Sequence, residues 1–135
     1  MNYWLLKSEP ETWSWDDQVK AKIEMWDGVR NYQARNNLIK MQKGDLCFFY
    51  HSVKERKIIG IVEVFKEHYI DPTDKAKKFV AIDVKTKIKL KRPVSLEEIK
   101  LDIKLNQLAL VKQSRLSVMP IDRISWNKIL KLSNI

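Results

Sequence analysis

A short polar stretch beginning at Trp26 combines the groups that proteins use to recognise planar polar molecules. Trp26 offers an aromatic plate, Arg30 a guanidinium, and Asn31 an amide with both donor and acceptor atoms. Gly28 between them would let the backbone approach a ligand closely. Packing of a hydrophobic core does not require this combination. A polar loop that enters a short helix, with a turn at Gly28 and Asn31 as the N-cap, explains the stretch equally well.

A nucleobase turned out of its stack is one planar polar ligand with which this chemistry agrees. Such a base is held by stacking on an aromatic ring, worth about 1 to 3 kcal/mol, and by hydrogen bonds to its Watson–Crick edge. Trp26 is the candidate stacking ring, and Glu9 is a candidate acceptor for an exocyclic amine. Asn31, Ser52 and Ser117 would complete the hydrogen-bonding edge.

Three arginines are candidates for holding phosphates: Arg30, Arg35 and Arg115. Each functional assignment has a structural alternative. Trp26 could belong to the core, Arg115 could pair with Glu9 or Asp27 across the sheet, and the serines could cap backbone groups. No single residue decides between these readings. The convergence of several separated stretches is what indicates a site.

Lys7, Ser8 and Glu9 are adjacent at the end of a predicted strand and suggest a second kind of chemistry. A desolvated lysine beside a hydroxyl and a carboxylate can run acyl transfer. No Ser-His-Asp, Cys-His or metal-bound water arrangement follows from the spacing, and the neighbouring His51 and Ser52 are a weak signal. We therefore predict a protein that is not an enzyme, with acyl transfer by these residues as the alternative.

The charge of the chain favours a polyanion as its partner. Lys plus Arg number 26 against 17 Asp plus Glu, which gives a formal net charge of +9, and the pI is near 9.6. A basic domain of this size gains affinity for nucleic acid by counterion release. The alternative is that the lysines only solvate the surface. The charge predicts RNA or DNA as the partner.

The sequence argues against a membrane protein, a secreted protein and a metalloprotein. No apolar run approaches the roughly 20 residues that a membrane span needs, and the apolar start is too short for a secretory signal, so a cytosolic location is expected. Cys47 lies in an apolar strand and is predicted to be a buried filler. His51 and His68 have no further ligands at zinc spacing, so we expect neither a metal nor a cofactor. A monomer is the favoured oligomeric state.

Hydrophobic alternation and breaker residues predict the elements of the first half of the chain. Residues 3–7 read as a strand that Pro10 terminates. Ser14 is the predicted N-cap of a short helix, and Trp13 and Trp15 are expected to pack in the core.

Two predicted strands follow. Residues 46–50 form a buried strand that delivers Tyr50, His51 and Ser52 at its far end. Residues 58–65 form its hairpin partner, in which Gly60 marks a bulge or a point of close approach.

The second half of the chain contains one long strand and two well-marked helices. Residues 79–90 alternate cleanly, with a row of lysines on the solvated face. Ser95 and Glu98 form a capping box that starts a helix at residue 96. Residues 114–119 alternate and are predicted to end at Pro120, after which Asp122 caps the final helix.

Together these elements predict one α+β domain over residues 1–135. It would contain five or six strands and four short helices, with a mostly antiparallel sheet curled into a small barrel.

The chain resembles the EVE domain family in several long phrases that occur in order. These are YWLLKSEP at residues 3–10, WDGVRNYQARN at 26–36, GDL at 44–46, FYHS at 49–52, RPVSL at 92–96 and QSRLSV at 113–118. The resemblance implies a PUA-like pseudo-barrel related to the YTH and ASCH domains. It also implies a reader of nucleic acid that holds a modified base, such as a methylated or hydroxymethylated cytosine.

The resemblance also implies where a base pocket would lie. The candidate pocket residues are Trp4, Lys7, Ser8, Glu9, Trp26, Asp27, Gly28, Val29, Asn31, Tyr50, His51, Ser52, Ser114 and Ser117. The alternatives are an ASCH-like amidohydrolase that acts on a modified nucleoside, and a PUA-like module that grips RNA by shape without a base pocket.

Overall fold

One six-stranded sheet and five short helices make up residues 1–134, the part of the chain that the computed structural model describes. The elements are β1 Tyr3–Ser8, α1 Trp15–Ala21, β2 Ile23–Trp26, α2 Tyr32–Lys40, β3 Leu46–His51, β4 Lys57–Ile70, β5 Val80–Ser95, α3 Leu96–Leu101, α4 Ala109–Lys112, β6 Val118–Ile121 and α5 Arg123–Leu132. The last residue of the predicted domain, Ile135, lies outside the described residues.

The strands are ordered β2-β5-β4-β3-β1-β6. Only β1 and β3 run parallel, and every other neighbouring pair is antiparallel. The predicted α+β class and the mostly antiparallel sheet are therefore confirmed. The pairing between β4 and β5 shifts register at several points, which bends these two long strands. Within residues 1–134 the edge strands β2 and β6 do not pair with each other, so the predicted curl stops short of a closed barrel.

The edge strand β6 begins later than predicted and runs through a proline. The alternating pattern of residues 114–119 was predicted to end at Pro120, but β6 covers Val118–Ile121, so that prediction is wrong. The Lys7 N–H donates to the Ser117 carbonyl at 2.9 Å, so these two residues form a hydrogen-bonded pair. Hydrogen-bonded and non-hydrogen-bonded pairs alternate along antiparallel strands, which makes the pair of Trp4 and Pro120 non-hydrogen-bonded. The Pro120 nitrogen therefore faces away from β1. A proline is tolerated there because an edge strand has no further neighbour.

Helix α2 covers part of the same edge. The side-chain amide of Asn37, which is buried, donates to the Val118 carbonyl at 2.8 Å. That carbonyl points outward from the sheet, in the same direction as the Pro120 nitrogen. The outer face of β6 is therefore partly occupied by the protein itself.

The hydrophobic core surrounds β1 and β3, since most residues of these two strands are buried. Leu5, Leu6, Phe48 and Phe49 are completely inaccessible to solvent. Cys47 is equally buried, so its predicted role as a filler is confirmed, and burial raises the pKa of its thiol.

Gly60 on β4 has both of the roles predicted for it, because the strand register shifts beside it and another residue approaches it closely. A Cβ atom at this position would lie 2.5 to 2.7 Å from three carbons of the Trp15 ring. Trp15 is 3% exposed and packs edge-on against Phe49, with ring centroids 5.3 Å apart. The missing side chain of Gly60 therefore makes room for an indole in the core.

The helix starts follow local capping chemistry and were predicted correctly. Ser14 and Ser95 each form a complete capping box at the start of α1 and α3. Asp122 accepts a hydrogen bond from the Ser125 N–H at 3.0 Å at the start of α5. Each of these caps uses partners three residues away, which a sequence pattern can reveal.

Candidate base-binding site

A cavity of about 520 Å³ opens where the C-terminal end of β1 faces the end of β2 and the turn that follows it. Its lining residues are Lys7, Ser8, Glu9, Thr12, Trp13, Glu24, Met25, Trp26, Asp27, Gly28, Val29, Arg30, Asn31 and Ser117. Three of the four stretches predicted to form the site contribute to it. The fourth stretch, residues 50–52, does not line it.

The end of β1 is held in place by its two neighbouring strands. Lys7 pairs with Tyr50 on β3, and its N–H bonds the carbonyl of Ser117 just before β6. The Lys7 ammonium donates to the Ser114 carbonyl at 2.8 Å, and burial lowers its pKa. The ammonium is therefore a fixed donor at the edge of the cavity.

Trp26 is both a wall of the cavity and part of the core. It is 8% exposed, and its indole meets the ring of Phe49 edge-on with centroids 5.6 Å apart and planes at 84°. The two interpretations offered for this residue from the sequence, aromatic plate and core residue, are thus compatible. The same indole can line a cavity and be anchored from behind.

A second indole, that of Trp13, lines the cavity and was not predicted to do so. Trp13 was expected to lie on a short helix and to pack in the core; it does pack against the core, but it precedes α1 and is only half-buried. Its ring N–H donates to Gln18 Oε1 at 3.0 Å, and its backbone N–H donates to the Glu9 carbonyl at 2.8 Å. The Ser8 hydroxyl donates to the Trp13 carbonyl. The chain therefore turns back after Pro10 and returns Trp13 to the end of β1.

The cavity carries more carboxylates than cations. Glu9, Glu24 and Asp27 line it against Lys7 and Arg30. Glu9 is exposed and takes part in none of the ion pairs found within residues 1–134. Glu24 accepts only a weak hydrogen bond from the next backbone N–H, at 3.2 Å. Both carboxylates can therefore accept hydrogen bonds from a ligand.

Asn31 combines its two predicted roles. Its side-chain oxygen caps α2 by accepting from the Ala34 N–H at 2.9 Å. Because the oxygen is engaged, the amide NH₂ is the group left to donate to a ligand in the cavity.

Arg30, which was predicted to bind phosphate, is hydrogen-bonded to a buried carboxylate. Its guanidinium donates to Asp71 at 3.0 Å and to Thr73 at 2.9 Å. Asp71 has a fully buried side chain and also accepts from the backbone N–H of Gly28 at 2.8 Å. Burial by itself would raise the pKa of Asp71, but the hydrogen bonds from Thr73, Gly28 and Arg30 lower that pKa to about 2. Gly28 has φ +79, so the turn itself requires glycine.

The two other arginines predicted to hold phosphates differ in their surroundings. Arg35 donates to the side chain of Asn36 at 2.9 Å and to the Lys78 carbonyl at 3.2 Å. Arg115 is exposed and forms no ion pair with Glu9 or Asp27. Neither arginine lines the cavity.

Five predicted pocket residues lie outside the cavity: Trp4, Tyr50, His51, Ser52 and Ser114. Trp4 lies towards the other end of β1, where its indole N–H donates to Asp45 at 3.0 Å. Tyr50 is buried, and burial raises the pKa of its phenol to about 12. Ser52 and Ser114 contribute backbone groups, an N–H to the Ser8 carbonyl and a carbonyl to Lys7.

His51 is a structural residue. The Trp15 N–H donates to His51 Nε2 at 3.0 Å, so the ring proton lies on Nδ1, which donates to Glu55 at 2.9 Å. The ring is 7% exposed, and both of its nitrogens are already engaged. It therefore fixes α1 to β3 and leaves no free nitrogen for catalysis.

Metal and membrane features were also sought in the described part of the chain. Residues 1–134 contain no group of three His, Cys, Asp or Glu side chains that could hold a metal ion. None of the helices described has both the length and the apolar character required to cross a bilayer.

The mostly antiparallel six-stranded sheet with a cavity at the end of its first strand has the PUA-like fold that was expected from the sequence. The chain belongs to the EVE domain family, which matches residues 2–132. The predicted family membership is thereby confirmed.

Relatives of known sequence and structure agree with this assignment. Mouse thymocyte nuclear protein 1 is 36% identical over 97% of this chain and 73% of its own length. A solution structure from Rhodopseudomonas palustris is 45% identical with a TM-score of 0.93, and covers 99% of this chain and 94% of that one. Human THYN1, solved in complex with 5-methylcytosine-containing DNA, is 32% identical with a TM-score of 0.90 over 100% and 99% of the two chains.

A more distant structure shares the fold. The YTH domain of Zygosaccharomyces rouxii MRB1, solved with N6-methyladenosine RNA, is 16% identical with a TM-score of 0.59 and covers 99% of this chain and 85% of that one. This likeness extends the fold beyond the EVE family.

Proposed function

We propose that this protein binds nucleic acid and holds a modified cytosine in the cavity at the end of β1, without chemically changing it. The observation that carries the proposal is the cavity, in which two indoles and unpaired carboxylates meet. A relative, human THYN1, has been solved with DNA containing 5-methylcytosine, and this supports the choice of base.

The lining residues match the hydrogen-bonding edge of a cytosine. The exocyclic amine of the base donates, and carboxylates such as Glu9 are its natural acceptors. The ring nitrogen and carbonyl of the base accept, and the Lys7 ammonium and the Asn31 amide are donors on the same cavity. Trp13 and Trp26 would cover the faces or the methyl group of the base.

The charge of the cavity agrees with a base as its occupant. Three carboxylates face two cations, and one of those cations, Arg30, is already paired with Asp71. Such a cavity disfavours a phosphate and favours a neutral group that carries N–H donors. Phosphates must therefore be bound outside the cavity.

The contacts of Lys7 and Ser8 favour binding over catalysis. The Lys7 ammonium donates to the Ser114 carbonyl, and the Ser8 hydroxyl donates to the Trp13 carbonyl. Neither group is hydrogen-bonded to a general base, that is, a proton acceptor that could activate it as a nucleophile. An amidohydrolase would need one of these contacts to break before the reaction.

A calorimetric titration with free nucleosides tests the proposal. We expect 5-methyl-2′-deoxycytidine to bind more tightly than 2′-deoxycytidine, and both to bind more tightly than thymidine, which presents a carbonyl where cytosine has its amine. Each mixture is then examined by mass spectrometry. Equal affinity for all three nucleosides, or none, contradicts the proposal. Conversion of a methylated or acylated cytidine to a new product establishes the enzymatic alternative.

The cytosolic location predicted from the sequence stays a prediction. The name of the mammalian relatives, thymocyte nuclear protein 1, refers to the nucleus instead.

A further inference from the structure

The loop of residues 71–79, which connects β4 to β5, is fastened to the rim of the cavity. Its Asp71 carboxylate accepts from the Gly28 N–H at 2.8 Å, and its Thr73 hydroxyl accepts from Arg30 at 2.9 Å. Arg30 lines the cavity and therefore touches the loop and the site at once. At the other end of the loop, Arg35 donates to the Lys78 carbonyl at 3.2 Å. The 71–79 loop is thus attached to two residues that line the cavity, Gly28 and Arg30.

Aromatic contacts reinforce this attachment. The ring of Phe79 lies 5.0 Å from that of Tyr32, and the Arg30 guanidinium lies 5.5 Å from the centre of the Phe79 ring. A loop held by hydrogen bonds and by ring contacts presents its remaining side chains in a defined place.

The two acidic residues of the 71–79 loop are used internally. Asp71 is saturated by Thr73, Gly28 and Arg30. Asp74 accepts from the backbone N–H groups of Lys78 and Phe79, each at 2.8 Å, and from that of Ala76 at 3.1 Å. The hydrogen bond from the Phe79 N–H has the largest effect among the contacts that hold the pKa of Asp74 below its usual value. These carboxylates shape the backbone and do not pair with the lysines of the loop.

Three lysines of the loop are therefore left without acidic partners. Lys75, Lys77 and Lys78 are exposed and belong to none of the ion pairs formed among the described residues. On β5, Lys87 pairs with Glu63 at 3.1 Å, whereas Lys85, Lys89 and Lys91 are also exposed and outside these ion pairs, so the loop lysines differ from them in position and not in pairing. The three loop lysines thus carry free positive charge on a loop that contacts Gly28 and Arg30 of the cavity lining, and that lining has more carboxylates than cations.

We propose that Lys75, Lys77 and Lys78 of the 71–79 loop bind the phosphates that flank the base held in the cavity. This inference rests on the proposed function and divides the work between two adjacent surfaces. The cavity selects the base through its hydrogen-bond donors and acceptors, and the loop binds the phosphate backbone through its free positive charge. Arg30 is then a positioning residue that holds the loop against the rim, and it is not itself a phosphate ligand.

Two charge-matched triple variants test this division. One is Lys75→Gln, Lys77→Gln and Lys78→Gln on the loop. The control is Lys85→Gln, Lys89→Gln and Lys91→Gln, three exposed lysines on β5. Both variants lose three positive charges, so a difference between them reports position and not net charge. The probe is a short single-stranded DNA with one central 5-methylcytosine, titrated between about 50 and 200 mM salt. Each variant is also titrated with the free nucleoside 5-methyl-2′-deoxycytidine, which has no phosphate.

We expect the loop variant to lower the slope of log K against log salt by about 2, since each lost phosphate contact on a single strand removes about 0.7. The nucleoside affinity of the loop variant should match that of the wild type, and the β5 control should change the slope by less than about 0.7. Equal losses in both triple variants, or a wild-type slope in the loop variant, overturn the inference. The two proposals fail separately. If the loop variant lowers the salt slope but the protein does not bind the nucleoside, the proposed base pocket is wrong. If the protein binds the nucleoside but the loop variant keeps the wild-type slope, only the assignment of the loop is wrong.

Discussion

Phe49 anchors Trp26 from behind, with the two rings edge-on at 84° and their centroids 5.6 Å apart. Phe49 is completely buried on β3, so the indole at the cavity wall is fixed by the centre of the core. A binding surface held in this way loses little side-chain entropy when a ligand arrives. The rigidity of the wall therefore comes from packing that has no contact with the ligand.

Removal of the Trp26 ring should cost both stability and recognition. Trp26→Ala should lower the free energy of unfolding by about 3 to 5 kcal/mol, because it empties a buried site against Phe49. It should also remove the preference for 5-methyl-2′-deoxycytidine. Urea denaturation and nucleoside titration measure the two effects. Trp126→Ala is the matched control, because Trp126 is buried against Phe48, outside the cavity, and should lose stability only.

Trp13 offers the cleaner test of stacking, because it is half-buried. Trp13→Ala should weaken nucleoside binding by about 5- to 150-fold, the equivalent of the roughly 1 to 3 kcal/mol that stacking contributes. The change is measured by calorimetry on protein whose fold is verified by circular dichroism. Unchanged affinity in a folded Trp13→Ala protein would show that the base does not contact this indole.

Glu9 should set the preference for cytosine over thymine. Glu9→Gln should reduce the ratio of the affinities for 2′-deoxycytidine and thymidine by about tenfold, because an amide can donate to the thymine carbonyl. Glu11→Gln removes the same charge from the same turn and should leave the ratio unchanged, since Glu11 pairs with Lys54 and does not line the cavity. Similar losses in the two variants would point to a general charge effect.

The Asp71 carboxylate should stabilise the protein in a pH-dependent manner. Its pKa in the folded protein is about 2, below the value of an unfolded aspartate, so its contribution is complete above about pH 5 and is lost as the pH falls towards about 2. The difference in melting temperature between the wild type and Asp71→Asn should be constant near neutral pH and shrink below about pH 4. Glu98, whose pKa is also lowered to about 2 by Arg92, titrates equally in both proteins and cancels in the difference. A difference that stays constant down to about pH 2 would contradict this assignment.

Gly60 should not tolerate even a methyl group. Gly60→Ala places a Cβ atom 2.5 Å from the Trp15 ring, and overpacking of this kind costs about 1 to 3 kcal/mol. Thermal denaturation should show a melting temperature lower by roughly 3 to 10 °C. In a Trp15→Leu background the same change should cost much less, because the conflicting ring is gone. Strictly additive effects in this double-mutant cycle would exclude the contact as the cause.

Local patterns in the sequence predicted the elements, and contacts between distant residues decided the site. The capping box of Ser95 with Glu98 and the alternation of β5 require only neighbours in the chain, so both were visible. Pro120 was misjudged because its place on an edge strand depends on which strands pair, which no local pattern reveals.

Contacts between distant residues also explain where the observed site differs from the one predicted from the sequence. Arg30 pairs with Asp71, which lies 41 residues away, so its role as a rim residue could not be read from its neighbours. Trp13 reaches the cavity only because the chain turns back after Pro10 to bond the Glu9 carbonyl. Lys7, Glu9 and the stretch from Trp26 to Asn31 were placed correctly at one cavity, since strand ends and the turns after them tend to meet.

The outer side of β6 has a consequence for how copies of this protein meet. Addition of a strand from a second molecule would need free hydrogen-bonding groups on the outer side of β6. The Val118 carbonyl is already bound by Asn37, and the Pro120 nitrogen has no hydrogen to donate. The opposite border of the sheet, β2, is only four residues long. Growth of the sheet from one copy to the next is therefore blocked at one border and poorly supported at the other, which protects a strand-rich protein against polymerisation.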